Sequence, residues 1–356
     1  MTAGSIADWA LAERVAGLVA TASPPQVERA EADAMRADLH AAVASADRVA
    51  RAATGLGAEL APASCHVIGR RTWIRSNAAS IAWLTDPLAD RLLRAAGAQR
   101  AVARAALGVQ LGIVLGYLST RVLGQYEVIR PDDRTPGRLL LVGPNLLHTE
   151  RELLAEEDLT ASEFRYGIVL HELAHRLQFE AVPWLRPHLR GLLDTYFAEA
   201  RFDADRMKEV AARVPELLRD PSRLTDPRRL AEIVLTPGQT AVLDQAQAMM
   251  SLLEGHGNVV MDWGADLNDG QRPTFDSTKV RTVLNRRRSR AGEQALRTAL
   301  GLSMKAEQYA VGERFILAVA QSHGRAAFNR VWDNSENLPT ASELDEPDAW
   351  AQRVAG

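Results

Sequence analysis

Apolar positions recur at helical spacing along most of the chain, and the interruptions mark where elements begin and end. Residues 1 to about 60 are Ala-rich and amphipathic, broken near Ser23-Pro24-Pro25 and near Gly55-Leu56-Gly57, which predicts two or three helices. Cys65–Ile74 carries enough β-branched residues for a short strand, or for an irregular entry to a helix around Asn77–Leu84. Asp86-Pro87 opens a further helix to about Ala96. In the apolar stretch Leu107–Leu118, Gly108, Gly112 and Gly116 are four apart, and Thr120 and Gly124 continue the ridge. Each interior glycine costs a helix about 1 kcal/mol relative to alanine. A smooth ridge of this kind lets another backbone approach closely, and the stretch is too short to span a bilayer. Close helix packing inside the protein is therefore expected.

Two short extended runs follow, Tyr126–Arg130 and Arg138–Val142, separated by Pro131–Gly137 in a hairpin pattern. Thr160-Ala161-Ser162-Glu163 reads as a capping box with Thr160 as N-cap. No breaker then occurs until Pro183. Phe164, Tyr166, Ile168, Val169, Leu170, Leu173, Ala174, Leu177 and Phe179 make most of that helix's circumference apolar, so it belongs in a core. A long helical stretch is expected from about His188 to Leu218, then a turn region around Asp220-Pro221 and Asp226-Pro227. Thr236-Pro237-Gly238-Gln239 is a second capping box, with proline at N1, opening a helix to about Trp263. A polar loop over Leu267–Thr274, a basic helix with Arg286-Arg287-Arg288 and an apolar helix over about Ser303–Ser322 follow. The tail, with Pro339 and Pro347, reads as loosely structured. The whole is a mainly α fold (α+β, with a small β-hairpin or sheet). It comprises an N-terminal helical region over 1–124 and a second region over 125–356, packed as one unit.

Composition narrows the function classes. At 356 residues the chain can bury a large core, and 47% hydrophobic with 24% charged residues is ordinary for a soluble globular protein. A net charge of −3 gives no basic excess that would mark nucleic acid as a partner. The lone Cys65 excludes an internal disulfide and fits a reducing compartment. The N-terminus carries Asp8 and Glu13 and does not read as a signal peptide, so a cytoplasmic protein with no membrane association is expected.

The chemistry lies in His171-Glu172-Leu173-Ala174-His175, the HExxH pattern. On a helix the two histidines share one face and can hold one metal ion. Glu172 lies beside them, where it can take a proton from water at that metal. Two histidines and a glutamate in so apolar a helix are costly without strong partners, and a divalent metal serves all three. Catalytic zinc takes a third protein ligand. The HExxHxxGxxH arrangement is excluded, because Gln178 and Ala181 stand where it needs Gly and His.

A glutamate from a later helix remains. Glu199, with Asp203 one turn on, has the spacing of a ligand and its supporting aspartate, but its neighbours alternate in charge as a solvated face does. Glu254 stands in the apolar run Ala248–Met261, where a carboxylate is expensive unless paired or metal-bound. Gly255 and Gly257 would let that helix press against the metal helix, and Asn258 shares the face of Glu254, within reach of a ligating histidine. Glu254 is the first choice, then Glu199, then His256, with His188 among the remaining alternatives.

HELAHRLQFEAVPWLRPHL, LLEGHGNVVMD and the earlier VLGYLSTRVLGQYE resemble the zincin-like metallopeptidase family associated with deazaflavin-coenzyme biosynthesis genes. The similarity runs from about residue 60 to the C-terminus and includes Lys305–Tyr309 and Leu338-Pro339-Thr340. It implies a mostly helical, zincin-like fold with the HExxH histidines on Zn²⁺. Family members often have Asp where this chain has Asn258 and Glu127. The expected enzyme is a zinc-dependent metallopeptidase acting on a peptide or protein substrate. Its metal ligands are His171, His175 and Glu254, and its general base is Glu172. Tyr309 or His256 would steady the developing oxyanion, and Arg138–Val142 would be the edge strand that aligns a peptide. The alternative is a non-catalytic zinc-containing helical scaffold that binds a partner protein.

Overall fold

A computed structural model describes residues 4–21, 27–93, 99–131, 136–199, 236–267, 275–289 and 306–355. They form a mainly helical fold with one small sheet, grouped into two compact units. One comprises residues 1–49, 61–176 and 269–276; the other comprises 50–60, 177–268 and 277–356.

The first unit contains α1 (Trp9–Thr21), most of α2 (Arg29–Thr54), β1 (Cys65–Ile68), α3 (Arg70–Thr85), α4 (Ala89–Leu92), α5 (Arg100–Ser119), β2 (Gly124–Glu127), β3 (Arg138–Val142), α6 (Gly143–Glu157) and the bulk of α7 (Ala161–Ala181). The glycine ridge of α5 packs on α1 as its spacing predicts. A Cβ on Gly112 would lie 2.7 Å from the Ala12 carbonyl, and one on Gly116 would lie 2.8 Å from that of Ala16. The matched numbering means that the two helices run parallel. Val102, Val109 and Ile113, away from the ridge, are exposed. Apart from α5, no described helix is long and apolar enough to cross a membrane.

The sheet order is β1-β3-β2, with β1 parallel and β2 antiparallel to β3. The two predicted extended runs do form an antiparallel pair. Arg138–Val142, however, is the central strand and not an edge, because Cys65–Ile68 pairs along its far side. Leu139, Leu140, Leu141 and Val142 are all buried, the continuous apolar run that a central strand requires. Register divides the sheet into two faces. Gly124, Tyr126, Leu139 and Leu141 point one way; Gln125, Glu127, Arg138, Leu140 and His66 point the other. On this second face α3 is held by Gln125, whose side-chain oxygen accepts from Trp73 Nε1 at 2.5 Å and Asn77 Nδ2 at 3.3 Å.

The expected capping box opens α7. Thr160 N–H donates to the Glu163 carboxylate at 2.9 Å, and Glu163 N–H returns to the Thr160 hydroxyl at 3.2 Å. Near its other end, buried Arg176 donates to Asp47 at 3.0 Å and to the Ala61 carbonyl at 2.7 Å.

The second unit takes the last turn of α7 from Leu177, then α8 (Leu185–Glu199), α9 (Pro237–Asp266), α10 (Ser277–Ser289), α11 (Ala306–His323), α12 (Arg325–Asn329) and α13 (Pro347–Ala355). The Thr236–Gln239 capping box is present in full. The close approach expected of Gly255 is made to α11 and not to the metal helix. A Cβ there would meet Glu313 backbone nitrogen at 2.5 Å, and one on Gly312 would collide with the Ser251 carbonyl. The C-terminal tail is packed, contrary to expectation. Trp350 is fully buried, its Nε1 donates to the Asn337 carbonyl at 2.7 Å, and its ring lies 5.3 Å from that of Phe315. A hydrogen bond from Arg353 holds the Glu343 carboxyl below its ordinary pKa and ties this end down.

Candidate metal centre

Helical spacing puts His171 and His175 one turn apart on α7, and their Nε2 atoms lie 3.2 Å from each other. The rings meet edge to face at 88°. Two nitrogens bound to one zinc at about 2.05 Å and a tetrahedral angle would be about 3.3 Å apart. The imidazoles therefore already stand at the separation such an ion demands.

The last turn of α7 is fastened to α9 by Gln178, the residue at the position where the excluded motif class needs glycine. Its Nε2 donates to the Leu253 carbonyl at 3.1 Å and lies 2.9 Å from His256 Nδ1. That grip fixes the segment carrying Glu254. Among the described residues one group of potential metal-binding side chains converges: His171, His175 and Glu254, whose ligand atoms all lie within 4.8 Å of one another. The donor set fits a borderline-soft divalent ion, with two imidazoles and one carboxylate leaving a fourth position open. His175 and Glu254 are half-buried, and the His171 Nδ1 atom is sealed from solvent.

Glu172 points from α7 toward the start of β2. A Cβ on Gly124 would fall 2.6 Å from Glu172 Cγ and 2.8 Å from its Oε1. The strand thus presents bare backbone to this carboxylate. The α5 glycine ridge does not extend to Gly124, which is the first residue of β2 and makes room for Glu172. Nothing local distinguishes the two roles, because the contact spans nearly fifty residues of chain.

The other candidates are placed elsewhere. The Glu199 carboxylate lies over Gly238 at the N-terminus of α9, where the helix dipole favours it. Glu254 is sixteen residues further along that helix, about 24 Å away at 1.5 Å per residue. His256 is fully buried with its ring among Trp263, Phe328 and Trp332, at centroid separations of 5.1 to 6.3 Å. With Nδ1 at Gln178, it is a packing residue. Asn258 does not reach a histidine. Its Nδ2 donates to Glu313 at 3.4 Å, and Arg281 bridges Glu313 to Asp262. His188 packs on Trp184, and burial lowers its imidazole pKa. Arg286 is exposed, as on a solvated face. The side chains of Tyr309 and Arg288, and all of Asp203, lie outside the described residues.

A helix that offers two imidazoles, with a second helix bringing a carboxylate, is a donor set able to hold a divalent metal ion. The model of the zincin-like metallopeptidase family matches residues 7–351, and the chain belongs to that family. Among solved structures, the chain is similar to one from Chloroflexus aurantiacus described as "a putative hydrolase with a novel fold". The two share 30% identity over 98% of this chain and 99% of that one, with a TM-score of 0.70. No curated protein matches.

Proposed function

We propose that this protein is a zinc-dependent peptidase in which His171, His175 and Glu254 hold the ion and Glu172 is the general base. The observation that carries the reading is the convergence of these three ligand atoms within 4.8 Å, beside a carboxylate facing a glycine-bared strand. When bound, zinc supplies the Lewis acidity that polarises a carbonyl and lowers the pKa of water toward about 7. Glu172 accepts the proton of the attacking water and delivers it to the leaving amine. The helix holds Glu172 beside both histidines, so no rearrangement is needed to bring base and ligands together.

Peptide alignment falls to β2. Its inner edge bonds to β3, and its outer edge begins at Gly124, opposite Glu172. A substrate in extended form adds to that edge by main-chain hydrogen bonds. Its scissile carbonyl then comes near the end of the strand where the base lies.

The test uses the full chain, wild type and Glu172→Gln, with bound zinc measured alongside hydrolysis of a mixed peptide library. The peptidase reading expects equal zinc in both and a loss of turnover of about 10²–10⁴-fold in the variant. A wild-type chain that holds zinc yet cleaves no library member is instead the partner-binding scaffold.

A further inference from the structure

Four of the five large apolar side chains that stand exposed among the described residues belong to two packed helices of the first unit. Leu18 of α1 is 73% exposed; on α5, Val102 is 70%, Val109 38% and Ile113 46% exposed. Val102 and Val109, like exposed Ala106 and Ile113, are seven apart, so the four form one stripe along α5. Ile113 lies about 200° around its helix from buried Leu115, and Leu18 about 200° around α1 from buried Ala20. Leu115 and Ala20 pack with Trp73 and Ile74 of α3, so these exposed side chains are on the side of the pair turned away from the core. Val15 joins the two helices, its Cβ 2.8 Å from where a Cβ on Gly112 would fall. We infer that this face docks a second copy of the chain in an antiparallel, twofold-symmetric pair.

Area, charge and one amide select the partner. Helices of 20 and 13 residues, each about 10 Å wide, present about 500 Å² along their outer sides at about 1.5 Å per residue. Two such faces together bury about 1,000 Å², the size that a specific pair needs. Between Arg104 and Arg121 no residue is charged, so α5 offers nothing to an ionic partner, and its apolar stripe is complementary to itself. Gln110, exposed at the midpoint of α5, decides between protein and lipid. A bilayer would strip water from its amide and return no hydrogen bond. A twofold axis through that midpoint sets Gln110 opposite its own copy, where each amide donates to the other's carbonyl oxygen. A single polar residue of this kind fixes the register of an otherwise apolar stripe.

Sedimentation velocity of the full-length protein at micromolar concentration tests the pair. The wild-type chain should sediment as a dimer that dissociates on dilution. Ile113→Asp and Leu18→Asp each put two unpaired carboxylates into the interface and should weaken the dimer at least about a hundredfold. Both side chains are exposed, so helix content by circular dichroism should be unchanged. Leu317→Asp, at the remaining exposed apolar side chain, on α11, should dimerise as wild type does. With Cys65 buried, oxidation should link the pair through Gln110→Cys and not through Val102→Cys; any other pattern overturns the antiparallel arrangement. A wild-type monomer throughout the micromolar range overturns the inference, as does a dimer that survives either Ile113→Asp or Leu18→Asp. Loss of the dimer in Leu317→Asp overturns it too. In flotation with phosphatidylcholine–phosphatidylglycerol vesicles the wild-type chain should stay in solution. Vesicle binding that Ile113→Asp abolishes would give the face to a membrane and overturn the pair.

Discussion

Two buried glutamates lie on opposite faces of one three-stranded sheet, and their surroundings differ in kind. Glu127, 2% exposed, gives one oxygen to the Ser76 hydroxyl and the other to Arg138. Glu172, 8% exposed, is set against the bare backbone of Gly124 and is next in sequence to His171. Burial is nearly the same for both. A carboxylate whose two oxygens accept from a serine and an arginine is an anchor of the fold, whereas one packed on the backbone of a glycine depends on that residue's missing side chain. What a buried acid faces, more than how deep it lies, separates a structural role from a chemical one.

That contrast breaks most visibly at Glu127. Glu127→Gln is expected to destabilise the fold by about 2–3 kcal/mol in urea unfolding, less than a fully buried pair would cost because Arg138 remains partly in water. The folded fraction should bind as much zinc as wild type. A loss of metal without a loss of stability would invert the two roles.

Next in size is Gly124→Ala. The added methyl would crowd Glu172 at 2.6–2.9 Å, and a displaced base slows turnover by about 10- to 100-fold. Metal content should stay unchanged, because neither histidine moves. Unaltered kcat in a folded Gly124→Ala protein would mean that the packing of Glu172 on Gly124 has no catalytic use.

The smallest effect concerns Cys65, on the same sheet face as Gly124. Burial raises its thiol pKa from 9.0 to about 11. A raised folded-state pKa stabilises the fold at pH below 9, and that contribution fades as pH climbs from 9 to 11. A decline of about 1 kcal/mol by pH 9.5 is expected in wild type relative to Cys65→Ala. Alkylation of the native thiol at pH 8 should be far slower than that of a free cysteine. Rapid labelling would show that this face admits solvent where the structure closes it.

The parts of this molecule that the sequence announces are those governed by local rules. Both capping boxes, at Thr160–Glu163 and Thr236–Gln239, are realised, because each needs only residues three apart. The apolar setting of Glu254 and the charged neighbours of Glu199 are local signals of the same kind; in the structure Glu254 lies near the two histidines and Glu199 lies over Gly238. Long-range pairing was not legible. β3 is central because β1 arrives from more than seventy residues away, and no feature of Arg138–Val142 itself records that. Gly255 signals a close approach without naming the partner, which is α11. Asn258 has the correct face for a histidine, yet the Glu313–Arg281–Asp262 network claims it. The tail reads as loose because two prolines interrupt it, but Pro347 opens α13 and Trp350 fills a core position.

The central claim, that one ion is held by His171, His175 and Glu254, is tested most directly by zinc stoichiometry under chelator challenge in wild type, Glu254→Gln and Glu199→Gln. Wild type and Glu199→Gln should retain about one zinc per chain with equal affinity, whereas Glu254→Gln should bind more than about a hundredfold more weakly, beyond what loss of a supporting hydrogen bond costs. Zinc held as tightly by Glu254→Gln as by wild type, or lost from Glu199→Gln instead, would contradict it.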